Sequence, residues 1–210
     1  MNKEPDDFKI ARGFWSSDWK KLDIHKNTKW NESWEIAVAV FERRINARFI
    51  YQINALIKNK DKATASSSGF AIVALDCLLI ETLNQFYEGI DETPKYNHAP
   101  AFHAVFQRSS TLKDIFNTKD KTKEFYYQIR CGLLHQAQTK GNSKINRKIK
   151  TVIEWCNPKK PADGLTVHSL GFHKCVEEVY SEYLDKLRIE QNEELRDKFR
   201  TKMNLIAGMS

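Results

Sequence analysis

The sequence predicts a mainly α fold: a helical bundle that carries one small, basic β-hairpin ahead of its C-terminal helices. Apolar side chains recur at three- and four-residue steps through most of the 210 residues. Only 8 Gly and 5 Pro are present, too few for the frequent turns of a β-rich chain. Strand-like patterning is confined to one stretch, between 148 and 169.

The segments follow in order within one domain. Residues 1–29 are polar with scattered aromatics (Phe8, Phe14, Trp15, Trp19) and read as an arm held to the body by its rings. Residues 30–138 form the helical core. Its first helix, over 32–58, places Trp34, Ala37, Val38, Phe41, Ile45, Phe49, Ile53 and Leu56 on one face. A polar connector at 58–68 ends in three serines, Ser66 to Ser68, that offer an N-cap. The second helix, over 69–87, is apolar nearly all round and belongs at the centre. Gly89, Pro94 and Pro100 mark a loop. A third helical region covers 102–116, and a fourth helix runs over 122–137 after a break at 117–120.

Residues 139–169 carry the hairpin, with short strands over 148–155 and 165–169. The connection between them holds Asn157, Pro158, Pro161, Asp163 and Gly164. Helical spacing returns in 170–210, over 172–187 and 193–205. No internal repeat is visible.

Hydrophobic residues make up 41% and charged residues 29%, the balance of a globular chain. The formal charge is +7, and most of it is local. Between 140 and 160 lie Lys140, Lys144, Arg147, Lys148, Lys150, Lys159 and Lys160 against one acid, Glu154. Such clustering suits a polyanion such as RNA, though a solvated lysine-rich loop has the same composition. The N-terminus lacks a signal-peptide core, and the apolar stretch 70–83 is interrupted by Asp76 and Glu81. It falls short of the roughly 18 to 20 residues of a membrane span, so no membrane partner and a cytoplasmic location are expected. Cys77, Cys131, Cys156 and Cys175 are widely spaced and read as reduced thiols.

At 100° per residue the fourth helix separates two stripes. Phe125, Tyr126, Ile129, Leu133 and Ala137 should face the core. Tyr127, Arg130, Cys131, Leu134, His135 and Gln138 form a second stripe that mixes apolar groups with a permanent cation and an imidazole. That mixture is neither core nor ordinary solvent face, and it predicts a contact surface with another chain or a ligand. Arg130 and His135 stand about 140° apart at its margins, and arginine is long enough to reach back. Gly132 between them permits bending or a close backbone approach. Taken alone, an Arg and a His five apart are also ordinary polar residues at a packed interface.

The R-x4-H spacing from Arg130 to His135, late in a helix that follows a strongly apolar one, resembles the signature of the HEPN superfamily (higher eukaryotes and prokaryotes nucleotide-binding). The resemblance covers the helical parts of the chain. It implies a HEPN-like bundle and a metal-independent endoribonuclease, with Arg130 and His135 catalytic and no cofactor or metal. It also implies a toxin or antiviral-defence effector, with an antitoxin or regulatory protein as a further partner. One position departs: the residue after the arginine is often polar in active members, and here it is Cys131. A non-catalytic dimerising or RNA-binding module is therefore the alternative.

The residue types suit that chemistry. An arginine fork holds phosphate oxygens and offsets transition-state charge, while an imidazole moves protons near neutral pH. One His cannot readily take the 2′-OH proton and also protonate the leaving oxygen. A homodimer that joins two copies of the stripe through Tyr127, Cys131, Leu134 and Gln138 would bring two of each residue into one cleft. Lys140, Lys144, Arg147, Lys148 and Lys150 would track the RNA backbone. Trp155 is free either to stack on a base or to pack on the helices beneath.

Asp76 and Glu81, on the apolar second helix, need partners. Arg43, Arg44 or Arg48 would supply a structural ion pair; alternatively one acid orients Arg130 or His135. His168, His173, Cys175 and Cys156 are metal-ligand residue types in no recognisable spacing.

Overall fold

The structure, a computed structural model, describes residues 7–25, 29–189 and 192–209, so the expectations for 1–6 and 26–28 of the arm lie outside it. The chain is mainly helical, with short strands ahead of its last two helices. The arm forms a small hairpin, β1 (Lys9–Ala11) with β2 (Phe14–Trp15), followed by the single turn α1 (Ser16–Trp19). Helix α2 (Glu32–Ile45) starts where the Asn31 side chain accepts from the Trp34 N–H. This cap satisfies one of the amides that a helix start leaves unpaired. A π-helical turn (Asn46–Ile50) joins α2 to α3 (Tyr51–Ile57).

The predicted polar connector holds a helix, α4 (Lys62–Ser67). Its cap is Asp61, whose carboxylate accepts from the Ala63 and Thr64 N–H groups. The three serines do not cap the next helix: their hydroxyls bond back to the carbonyls of Ala63, Thr64 and Ala65. Helix α5 (Gly69–Glu88) follows. The predicted third helix is two pieces, α6 (His98–Phe106) and α7 (Leu112–Ile115). Ser109 divides them, its hydroxyl accepting from the Leu112 N–H at 3.1 Å.

The motif helix is composite: α8 (Lys119–Phe125), a π-helical turn (Tyr126–Arg130), then α9 (Cys131–Gln136). After it come β3 (Lys144–Ile145), β4 (Ile153–Trp155) and β5 (Leu165–Val167), then α10 (Ser169–Arg188) and α11 (Glu193–Ile206).

The expected hairpin is thus a three-stranded sheet in the order β3-β5-β4, with β3 parallel and β4 antiparallel to the central β5. Residues 148–152 are not strand, because the Lys148 N–H turns onto the Asn146 side chain at 2.9 Å and the chain leaves the ladder there. By length and composition α5 passes the test of a membrane span, with a mean hydropathy of 1.4, contrary to the expectation from 70–83. Yet 61% of that window is buried within the fold, as in a core helix.

The chain divides into two compact units, one of residues 1–51, 85–92 and 181–210, the other of 52–84 and 93–180. The first unit has an aromatic core. Phe41 lies 4.5 Å from Phe86, 5.5 Å from Tyr183 and 5.6 Å from Phe199 between ring centroids. Trp19 packs edge-on to Phe199 and donates its Nε1 hydrogen to Asn204 at 2.9 Å. The second unit has its own ring cluster, Phe102, Phe106, Phe116, Phe125 and Phe172, all fully buried. Burying each such ring contributes about 1.5 to 3 kcal/mol. Trp155 packs edge-on to Phe116 at 6.0 Å, with the Lys121 ammonium over its ring.

Candidate functional site

The motif lies wholly in the second unit. Its placement starts with the π-helical turn, where the Cys131 N–H reaches the Tyr126 carbonyl five residues back. Such a turn holds one residue more than an α-helical one, so the faces before and after it fall out of phase. Phe125, Ile129 and Leu133 are buried as the spacing predicts. Two members of that predicted face are not: Tyr126 is half-buried and Ala137 is exposed. Gln128 is buried in their stead, its amide oxygen accepting from Ser143 Oγ at 2.7 Å.

Beyond Arg130 the helix is short. Ala137 adopts the left-handed conformation (φ 54°), its N–H bonds the Leu133 carbonyl, and the Gln138 N–H bonds the Gly132 carbonyl. The first bond is that of an αL-type helix end, and the second folds the chain back over the helix. The Lys140 N–H then reaches the Gln128 carbonyl at 2.9 Å. Gly132 makes the return possible, since any Cβ there would press into the Gln138 carbonyl oxygen.

Arg130 is held by Glu81 of α5. Its Nε donates to one carboxylate oxygen at 2.8 Å and its Nη2 to the other at 3.2 Å, with both side chains only 12 to 13% exposed. The third nitrogen, Nη1, lies 3.4 Å from Nε2 of the exposed His135. The 140° separation expected from an ideal helix is thus bridged by the length of arginine. Burial alone would lower the Arg130 pKa, but hydrogen bonding to Glu81 and its charge raise it, so the guanidinium stays ionised.

Two residues join the site that sequence reasoning did not place there. The Tyr126 ring lies under the guanidinium, 5.3 Å from Cζ. Burial chiefly pushes its phenol up to about 12, so the hydroxyl stays neutral. His98, at the start of α6, stacks on Tyr126 with centroids 6.0 Å apart, and its Nδ1 is 3.9 Å from Glu81. Tyr126 was hidden by the core-face assignment, and His98 by a loop boundary drawn past it.

The predicted contact residues remain on the surface: Tyr127 and Gln138 are exposed, and Cys131 and Leu134 are half-buried. All four cysteines are free thiols, two of them buried. The basic segment divides. Lys144, Lys148 and Lys150 are exposed, while the Lys140 ammonium lies 4.0 Å above the Tyr127 ring. Arg147 is not available for a phosphate. It donates to Ser169 Oγ at 2.9 Å, to the Ala65 carbonyl at 2.7 Å and to Ser68 Oγ at 2.8 Å, pinning the sheet to its helices.

Among the described residues Asp76 has no arginine partner. It is fully buried and bonds Nδ1 of His173 at 2.8 Å, while Glu177 lies 3.5 Å from the Nε2 of that ring. Arg44 instead donates to the Ile10 carbonyl, and Arg43 and Arg48 are exposed. Among the described residues no group of three His, Cys, Asp or Glu is placed to hold a metal ion. His168 is occupied in accepting from the Gly171 N–H.

The buried pair makes a pH prediction. Burial raises the Asp76 carboxyl from 3.8 to about 6. Burial alone would lower His173, but Asp76 and Glu177 raise it above 6.5. Both groups hold protons more tightly when folded, so their stabilisation is complete below the unfolded values and drains as pH rises through the folded ones. Relative to Asp76→Asn/His173→Gln, the wild type should lose on the order of 2 kcal/mol between pH 4 and pH 8, measured by urea unfolding. A difference that stays flat or grows with pH would show that the pair does not titrate this way.

No family model, no curated protein and no solved structure matches this chain.

Proposed function

We propose that the chain is a metal-independent endoribonuclease whose Arg130 and His135 act in a composite site at a homodimer interface. The observation that carries this reading is the cluster itself, a guanidinium gripped by Glu81 with Nη1 turned toward His135 Nε2. In the reaction a ribose 2′-oxygen bonds to the adjacent phosphorus and the bond from phosphorus to the 5′-oxygen breaks. One imidazole takes the 2′-OH proton, and a second, from the partner copy, protonates the leaving oxygen. Products are a 2′,3′-cyclic phosphate and a 5′-hydroxyl, and Arg130 offsets the charge gathering on the phosphoryl oxygens. The substrate supplies the nucleophile, so no metal is required. Cys131, Leu134 and Gln138 form the contact between copies, with Tyr127 at its edge.

On this proposal the chain is a HEPN-like protein that acts in the cytoplasm as a toxin or defence effector restrained by a partner protein. A second reading has its own support. Glu81 already occupies two of the three guanidinium nitrogens, which suits a non-catalytic RNA-binding module.

The test is RNA cleavage in EDTA. Wild type should yield cyclic-phosphate ends, with specific activity falling on dilution below the dimer dissociation constant. His135→Ala should lower kcat/KM about 10²- to 10⁴-fold. A wild type that does not cleave, that stops only when EDTA is added, or that His135→Ala matches would overturn the catalytic reading. Undiminished specific activity in a dilute monomer would overturn the composite site.

A further inference from the structure

A cleft of about 470 Å³ adjoins the motif, lined by Lys95, Tyr96, His98, Lys123, Glu124, Tyr126 and Tyr127 with Ala99. Its volume is within the ordinary range for small-ligand sites. The inner wall is continuous with the Arg130 cluster, because His98 and Tyr126 line the cleft and also touch Glu81 and the guanidinium. The outer wall carries two tyrosines with no place in the core: Tyr96 is 86% exposed and Tyr127 is 56% exposed. Exposing a large ring costs hydration free energy, and a ring left in a cleft beside cations is available to a flat ligand.

We propose that this cleft binds one unpaired nucleobase of a single-stranded RNA, stacked on Tyr96, beside the nucleotide whose phosphate meets Arg130. The inference rests on the RNA-directed reading of that site. Three features select the ligand class. Every base presents a π-face, and stacking on tyrosine needs the base splayed out of a duplex. Lys95 and Lys123 at the walls favour the negatively charged backbone on either side. Glu124 gives the orientation. One of its oxygens accepts from Gln128 Nε2 at 2.8 Å, and a carboxylate here repels a phosphate but can accept from an amino group on a base edge. The base therefore points in and the phosphates stay with the lysines and Arg130. Tyr127, with Lys140 over its ring, completes the wall.

The test is anisotropy of a fluorescein-labelled hexaribonucleotide made uncleavable by 2′-O-methyl riboses. Tyr96→Ala should weaken binding about 5- to 30-fold, and Tyr127→Ala by less, while Tyr96→Phe retains wild-type affinity. Replacing one nucleotide at a time by an abasic residue should find a position that costs the wild type a similar factor and costs Tyr96→Ala nothing further. A duplex of the same sequence should be indifferent to Tyr96. The subsite is overturned if both alanine variants bind like wild type, or if they lose as much toward every abasic ligand as toward the intact one. A protein that binds with this aromatic dependence but never cleaves overturns the catalytic reading and upholds the subsite. A protein that cleaves while both tyrosines are dispensable overturns the subsite alone.

Discussion

Arg130→Lys should cleave RNA about as poorly as Arg130→Ala, with kcat/KM down roughly 10²- to 10³-fold and charge conserved. A lysine has one nitrogen where the site uses three. It can meet Glu81, as Arg130 does with Nε and Nη2, or turn toward His135, but cannot do both from one position. The fork lets a single residue be anchored and still turn Nη1 toward His135, where the proposed reaction would bring a phosphate. Loss of activity must be separated from loss of fold, because removing Arg130 takes the hydrogen-bonded partner from a mostly buried Glu81 and leaves it the His98 imidazole at 3.9 Å. Breaking a buried pair from one side costs about 3 to 5 kcal/mol when burial is complete, and less at a rim such as this. Arg130→Ala/Glu81→Ala removes both partners. It should regain most of that stability in urea unfolding and remain as inactive as Arg130→Ala. If Arg130→Lys cleaves within about twofold of wild type, the guanidinium is not acting through its geometry.

The second large effect is on folding. Gly132→Ala should destabilise the second unit by about 2 to 4 kcal/mol in urea unfolding. The added methyl would meet the backbone itself, with the Thr139 Cα and Lys140 N also only 3.2 Å away, so no side-chain rotation relieves it. Ala137→Gly, five residues on, is the opposite case. Its left-handed φ of 54° is one that glycine adopts freely, and the change should stabilise by about 0.5 to 1 kcal/mol. Equal effects of the two variants would mean that the return of the chain over α9 is not what requires glycine at 132.

Periodicity carried most of the helical fold. The face of α2 and the core positions Phe125, Ile129 and Leu133 were readable because each buried stripe repeats at helical spacing. What escaped was set by single side chains. Asp61 starts α4 in a stretch whose composition looked like linker, and Ser109 breaks a helix whose apolar pattern runs straight through the break. A two-residue strand such as β3, paired in parallel with the three-residue β5, is too short to show alternation at all. The site was legible to a similar depth. Arg130 and His135 were visible as a spacing, and Glu81 as an acid in an apolar helix that had to be paired. His98 and Tyr126 were not, since their roles depend on packing between distant segments and on a π-helical turn. The role of Arg147 was misread for the same reason, because its three acceptors come from two distant segments.

That π-helical turn gives one helix two phases. Upstream, residues such as Phe125 keep time with the ring cluster. From the last residue of the turn onward, Arg130, Cys131 and His135 are clocked to a different surface, while Leu133 between them still reaches the core. The additional residue acts as a phase shifter, turning the guanidinium toward Glu81 while Ile129 and Leu133 on either side stay in the core.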